Sequence, residues 1–226
     1  MRSLASLAGI TLLGALGTAL CGCGGGPGQG EVAGASGPDV TKPSAVYFPL
    51  AVGNSWTIRV TTYTSGAADL NSPETGADGA LSYTSSFTIT GTKTMDGAKW
   101  FVGGYTPPIP SQEPWYGRHT ATGMLVQITN AGTPYYLLKA PIKVGTAWDL
   151  PSIGAKRKIT KVGATTTVPA GTFHNCIKVE QTYTAPDMAG VVVTYWFANG
   201  TGIVRTEIRR TGVLETKMVL TKYTVK

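Results

Sequence analysis

The sequence predicts an all-β domain, an antiparallel meander of about ten strands that forms a barrel or a strongly curved open half-barrel sheet. Three observations carry this expectation. Charge is sparse, 14% of 226 residues. Threonine is abundant, about thirty residues, which suits half-buried strands better than helices. Apolar and polar residues alternate with a period of two in several windows separated by Gly, Pro and Asn, and no window of twelve residues shows a capped helical stripe.

The N-terminus is a different kind of segment. Arg2 is the only charge before Glu31, and Ser3 to Leu20 is an unbroken run of apolar and small residues. Eighteen residues sit at the short limit for crossing ~30 Å of hydrocarbon, and the run ends in small residues without a basic flank, so a cleaved signal is favoured over a membrane span. Leu20-Cys21-Gly22-Cys23 resembles the Leu-x-Gly-Cys box of bacterial lipoprotein precursors, in which the Cys is acylated and becomes the first residue. Cys23 has the small Gly22 before the cut, whereas Cys21 follows Leu20, so the resemblance assigns residues 1–22 to the signal and the lipid to Cys23. Gly24 stands where many enteric bacteria use Asp to retain lipoproteins at the inner membrane, so the expected address is the outer membrane, facing the periplasm, with the cell surface as the alternative.

Residues 23–44 form a lipidated tether. From Gly24 to Ser44 there are seven glycines and three prolines and almost nothing apolar. A flexible coil of this length spans on the order of 25 Å. With Cys21 removed and Cys23 acylated, Cys176 is left alone, and the fold rests on its core without an internal disulfide. The net charge of +7 falls by one when Arg2 is cut away. A basic exported chain with no nucleic-acid motif is most simply drawn to anionic envelope surfaces.

Residues 45–226 are one β domain, long enough to bury roughly 70% of the unfolded surface in a single core. Trp56, Ile58, Val60 and Thr62 alternate against Thr57, Arg59, Thr61 and Tyr63. Leu81, Tyr83, Phe87 and Ile89 do the same over residues 81–90. Further strands are expected at 98–103, 121–129, 134–140, 156–162, 175–184, 191–198, 203–210 and 214–225, with 191–198 central because both of its faces are largely apolar. Pro49 to Trp56 is echoed by Pro141 to Trp148 as Pro-apolar-x-Val-Gly-x-x-Trp, 92 residues on. The flanks align poorly, so one turn solution used twice is favoured over duplication of a half-domain. In either case Trp56 and Trp148 are expected to be buried anchors, with Gly53 and Gly145 at positive φ.

These turn and strand signatures also carry a resemblance. Pro49-Leu50 through Trp56, Leu138 through Trp148, Val168-Pro169-Ala170-Gly171-Thr172-Phe173 with Cys176 to Glu180, and Tyr195-Trp196-Phe197-Ala198 through Glu207 together resemble uncharacterised bacterial envelope lipoproteins similar to the DUF3108-like β-rich periplasmic proteins. The resemblance covers about 160 residues and implies a fold and an address. It implies no catalytic residues.

Chemistry is sparse. On one strand His174, Cys176, Lys178 and Glu180 share a face, the sharpest constellation in the chain. Yet the ~7 Å between alternate residues is too far for a Cys-His hydrogen bond, so a solvent-facing polar row with Ile177 and Val179 in the core is favoured over a hydrolase-like centre on His174 and Cys176. Trp115 and Tyr116 follow a proline-stiffened stretch and are the candidate ligand-binding residues, as exposed aromatics on a loop beside Arg118 and His119. The run Lys156-Arg157-Lys158 with Lys161 reads as a solvated edge strand whose lysines deter sheet pairing. No metal site, cofactor or catalytic group is expected. The leading reading is a non-enzymatic, membrane-anchored lipoprotein whose β domain is a scaffold or an apolar-ligand binder. Its partners would be the bilayer, through acylated Cys23, and an apolar ligand, a glycan or an envelope protein, but no nucleic acid. The alternative is a glycan-contacting module that uses the exposed aromatics.

Overall fold

The computed structural model describes residues 47–63, 80–106, 114–127 and 133–226. The signal segment, the tether and Cys23 lie outside the described residues. Twelve antiparallel strands form one nearly closed, barrel-like sheet: β1 Ser55–Tyr63, β2 Ala80–Met95, β3 Ala98–Thr106, β4 Trp115–Thr120, β5 Gly123–Gln127, β6 Tyr135–Lys139, β7 Ala147–Leu150, β8 Ala155–Val168, β9 Gly171–Tyr183, β10 Val191–Ala198, β11 Gly202–Arg210 and β12 Val213–Thr224. Two short 3-10 turns, Pro151–Ile153 and Pro186–Met188, interrupt the meander. The strand order is β6-β5-β4-β3-β2-β1-β12-β11-β10-β9-β8-β7, so the first and last strands pair and the two edges are the consecutive strands β6 and β7.

Period-two patterning explains the inward faces. Trp56, Ile58 and Val60 of β1, Phe87 and Ile89 of β2, and Val191, Val193, Tyr195 and Phe197 of β10 are buried, with their neighbours in sequence mostly half-buried or exposed. One rim of the barrel receives the chain before β1. There Tyr47 and Phe48 are buried, with Phe48 edge-on to Phe197 at 5.0 Å. The tip of the long β8–β9 hairpin folds back at the same rim, its Ala170 N–H donating to the Leu220 carbonyl at 3.1 Å.

The repeated Pro-apolar-x-Val-Gly-x-x-Trp segments adopt the same structure. Gly53 and Gly145 have φ of 91° and 93°, values that favour glycine. The Gly53 N–H donates to the Ile89 carbonyl and the Ile89 N–H to the Asn54 carbonyl. The Gly145 N–H donates to Ile159, and the Ile159 N–H to Thr146, in the same way. The Asn54 side-chain amide and the Thr146 hydroxyl each donate to the carbonyl of the proline five residues back, at 2.9 and 2.8 Å.

The correspondence extends beyond the turns. Trp56 pairs with Phe87, Phe87 with Tyr105, Ile89 with Gly103 and Gly103 with Trp115. Trp148 pairs with Arg157, Arg157 with Gln181, Ile159 with Val179 and Val179 with Tyr195. A register shift follows Ile89 in β2 and Ile159 in β8 alike. Strands β1–β4 and β7–β10 therefore share one register arrangement, each within a six-stranded half of the sheet. The favoured sequence reading, a turn used twice and nothing more, is too small.

Three local expectations are corrected. Residues 115–120 form a strand, not a loop, paired to β3 through Gly103 and Trp115. Strand β8 is not an edge, and Arg157 within its basic run is buried while Lys156 and Lys158 are exposed. Asn175 has φ of 55°, in the left-handed region, and the β8–β9 register shifts on either side of Ala164↔Cys176. This bulge breaks the expected row, so Cys176 is buried beside Ile177 while His174 stays exposed.

Candidate functional site

The two halves place different chemistry on equivalent positions. In the first half these positions hold Phe87, Tyr105 and Trp115, with ring centroids 4.9 Å apart for Phe87 and Tyr105 and 5.3 Å for Phe87 and Trp115. Two glycines make this possible: a Cβ on Gly103 would overlap the Phe87 ring, and one on Gly117 the Trp115 ring. In the second half the corresponding positions hold Arg157, Gln181 and Tyr195, and they build a polar cluster inside the barrel.

Arg157 is 0% exposed. Its Nε donates to Gln181 Oε1 at 2.8 Å, its Nη1 to the Leu137 carbonyl at 2.8 Å and more weakly to the Tyr136 carbonyl at 3.5 Å, and its Nη2 to the Tyr195 hydroxyl at 3.4 Å. The guanidinium carbon lies 4.8 Å from the centre of the Tyr195 ring and 6.0 Å from that of Tyr135. The network continues outward. The Tyr195 hydroxyl donates to Gln181 Oε1 at 3.3 Å, and Gln181 Nε2 donates to the Tyr183 hydroxyl at 2.6 Å. Burial, and then the nearby Tyr195, raise the pKa of Tyr183 against weaker opposite pulls from Arg157 and Gln181, so the phenol stays neutral and gives Arg157 no counter-charge.

Every contact of Arg157 is thus with a neutral group; no carboxylate among the described residues pairs with it. A buried cation ordinarily has a carboxylate partner, because neutral dipoles replace water incompletely. The guanidinium also spans the gap in the sheet. No backbone ladder joins β6 to β7; Arg157 reaches across to Leu137 while Trp148 Nε1 donates to the Tyr136 carbonyl at 2.9 Å.

The candidate residues taken from the sequence lie elsewhere. Trp115 is 1% exposed, packed inward on Phe87 and Gly117, and Tyr116 is also buried, with Lys93 5.7 Å from its ring centre. Neither is the exposed rim aromatic that was expected, because the strand they form pairs with β3 and β5. His119 is half-buried with both ring nitrogens shielded from solvent, and burial lowers its pKa against a weaker opposite pull from the nearby Phe48 backbone. His174 Nδ1 lies 3.2 Å from Thr165 Oγ1, whereas Cys176 Sγ points to the Phe173 carbonyl at 3.5 Å, so the two side chains do not form a pair. Burial pushes the Cys176 thiol up to about 11, the reverse of what an activated thiolate needs. Among the described residues no three His, Cys, Asp or Glu side chains gather as metal ligands.

The outer wall carries a second ordered group. Trp196 lies between Lys178 and Arg205, 5.6 and 4.8 Å from its ring centre. Glu207 is held between Arg205 and Arg209.

No family model and no curated protein matches the chain. Two crystal structures are among those similar to it. One is of a candidate exported protein with a YmcC-like fold from Bacteroides fragilis, at 17% identity and a TM-score of 0.49 over 77% of this chain and 96% of that one. The other is of a candidate lipoprotein from Parabacteroides distasonis, at 15% identity and a TM-score of 0.47 over 81% of this chain and all of that one. At such identities and TM-scores, neither likeness assigns a family or an activity.

Proposed function

We propose that the chain is a lipid-anchored protein of the bacterial envelope, held in the outer membrane through acylated Cys23, whose β domain is a non-enzymatic binder of an apolar ligand. The observation that carries the binding role is the enclosure. Twelve strands make a wider barrel than the eight whose interior side chains alone fill, and the inward side chains of this one are mostly apolar, with Arg157, Gln181 and Tyr195 as a connected polar cluster among them. The anchoring rests on the Leu20-Cys21-Gly22-Cys23 box and on a tether too polar and glycine-rich to pack. The described chain begins at the rim occupied by Tyr47 and Phe48. The glycan alternative gains nothing, since its two rings are buried.

The test is native mass spectrometry of the full chain extracted from its own envelope, alongside metabolic labelling with a fatty-acid probe. The expected result is a mature chain starting at acylated Cys23 that carries a non-covalent adduct released on activation. Label that survives Cys23→Ser contradicts the anchor. A chain that is always adduct-free contradicts the binding role.

A further inference from the structure

We propose that Arg157, with Tyr195, binds the anionic headgroup, a carboxylate or a phosphate monoester, of an amphiphile whose tail lies along the apolar interior of the barrel. This rests on the ligand-binding reading above and adds the chemical class of the ligand.

Three features lead to it. The equivalent position in the first half holds Phe87, in the same register and against the equivalent isoleucine turn, and the bridge that Arg157 makes to β6 engages only Nη1 of its guanidinium. A position held by phenylalanine in the first half is here a permanent cation with no carboxylate partner among the described residues. The neighbours changed with it, Tyr105 and Trp115 giving way to Gln181 and Tyr195, so the whole constellation is polar where its counterpart is aromatic. The guanidinium is also unevenly satisfied. Nε and Nη1 each have a bond of 2.8 Å, while Nη2, with two hydrogens, has one contact at 3.4 Å. That edge, beside the Tyr195 hydroxyl, suits an incoming oxyanion: the hydroxyl turns from Gln181 to the ligand, and Nη2 donates to it in a charge-assisted bond.

Arg157 is wholly covered, so the headgroup takes the place of the Tyr195 hydroxyl on Nη2 and does not add to a vacant surface. Gln181 and Leu137 keep their bonds. The site therefore discriminates by charge, because a neutral head of similar size gains no more from the guanidinium than the phenol it displaces.

The experiment compares three C16 amphiphiles that differ only at the head, palmitate, hexadecyl phosphate and hexadecanol, titrated into the full chain and read by native mass spectrometry and melting temperature. The inference expects one or both anionic probes to bind about tenfold or more tightly than hexadecanol. The winner of that pair identifies the carboxylate or the phosphate as the source. Tyr195→Phe should weaken the anionic probes several-fold and leave hexadecanol unchanged. Arg157→Met should abolish the preference for anions. If Arg157→Met does not fold, Arg157→Lys serves, and a reduced but surviving preference is expected because the cation remains without its planar fork. Equal binding of all three probes, or a preference unaltered in these variants, overturns the headgroup assignment while leaving an apolar-ligand protein. Failure of all three to bind overturns the ligand-binding reading and this inference with it, and leaves Arg157 as a clamp on the β6–β7 gap.

Discussion

The two six-stranded halves meet twice, and the junctions differ. Where β12 meets β1, eight residue pairs from Ser55↔Thr224 to Thr62↔Thr216 form a backbone ladder. At the equivalent junction of β6 with β7 no such ladder forms, and side chains bridge instead, Trp148 to Tyr136 and Arg157 to Leu137. The indoles record the difference. Trp56 Nε1 has no partner in the described structure, because the strand beside it is already paired, while Trp148 Nε1 is used to hold the gap. The sheet has thus closed one junction with the backbone and kept the other under side-chain control, and it is beside the second that Arg157, Gln181 and Tyr195 gather.

The largest effects should come from the two anchors. Trp56→Ala and Trp148→Ala each remove a buried ring and should cost about 3–5 kcal/mol in chemical denaturation, a large part of the ~5–15 kcal/mol that holds a domain together. Phenylalanine separates the junctions more finely. Trp148→Phe should cost about 1 kcal/mol more than Trp56→Phe, because only the former loses a hydrogen bond. Equal costs would mean that the Trp148 bond does not help close the gap.

Next is the aromatic packing of the first half. Gly117→Ala puts a methyl into the Trp115 ring and should cost about 1–3 kcal/mol. A variant as stable as the parent would show that the ring has room to move. Cys176→Ser, which a solvent-facing row would tolerate freely, should now cost about 1–3 kcal/mol, because the hydroxyl enters a buried place. An unchanged melting temperature would restore the exposed reading.

The smallest expected effect is on the outer wall of the second half. Burial raises the pKa of Glu207, but bonds from Arg205 and Arg209 outweigh it and hold the carboxyl below its ordinary value. A folded-state pKa that is depressed contributes stability that is present above the unfolded value and lost as pH falls through the folded one. Acid denaturation below about pH 4.5 should therefore be shallower in Glu207→Gln than in the parent. Parallel acid curves would remove Glu207 from the wall's stability.

The sequence was legible where strands alternate and the backbone is regular. Trp56, Ile58, Val60, Phe87 and Ile89 are buried as their spacing predicts, and both Pro-x-x-Val-Gly-x-x-Trp turns place Gly at positive φ. Legibility failed where one backbone angle or one partner strand decides. Asn175 is of a type that tolerates the left-handed region, but inside an otherwise regular strand pattern that signal alone does not mark a bulge, so Cys176 falls on the wrong face when period two is carried through it. Strand β4 carries Trp115 and Tyr116 side by side, an arrangement without alternation, and needs β3 and β5 to define it. Arg157 was hidden by the charges beside it. Its period-two companions Ala155 and Ile159, both buried, were the available signal, but a run of Lys-Arg-Lys reads as solvated unless the strand's parity is followed through it. The pairing of β1 with β12 joins residues some 160 apart and has no local signature.

The central claim is that side chains of the second half, Arg157 foremost, close the β6–β7 gap that the backbone leaves. Residue-resolved amide hydrogen exchange of the parent and Arg157→Met tests it most directly. The account predicts a loss of protection for β6 and β7, at Leu137, Leu138, Trp148 and Leu150, beyond any loss shared with the β1–β12 ladder. A uniform loss across both junctions, or none at β6 and β7, would contradict it.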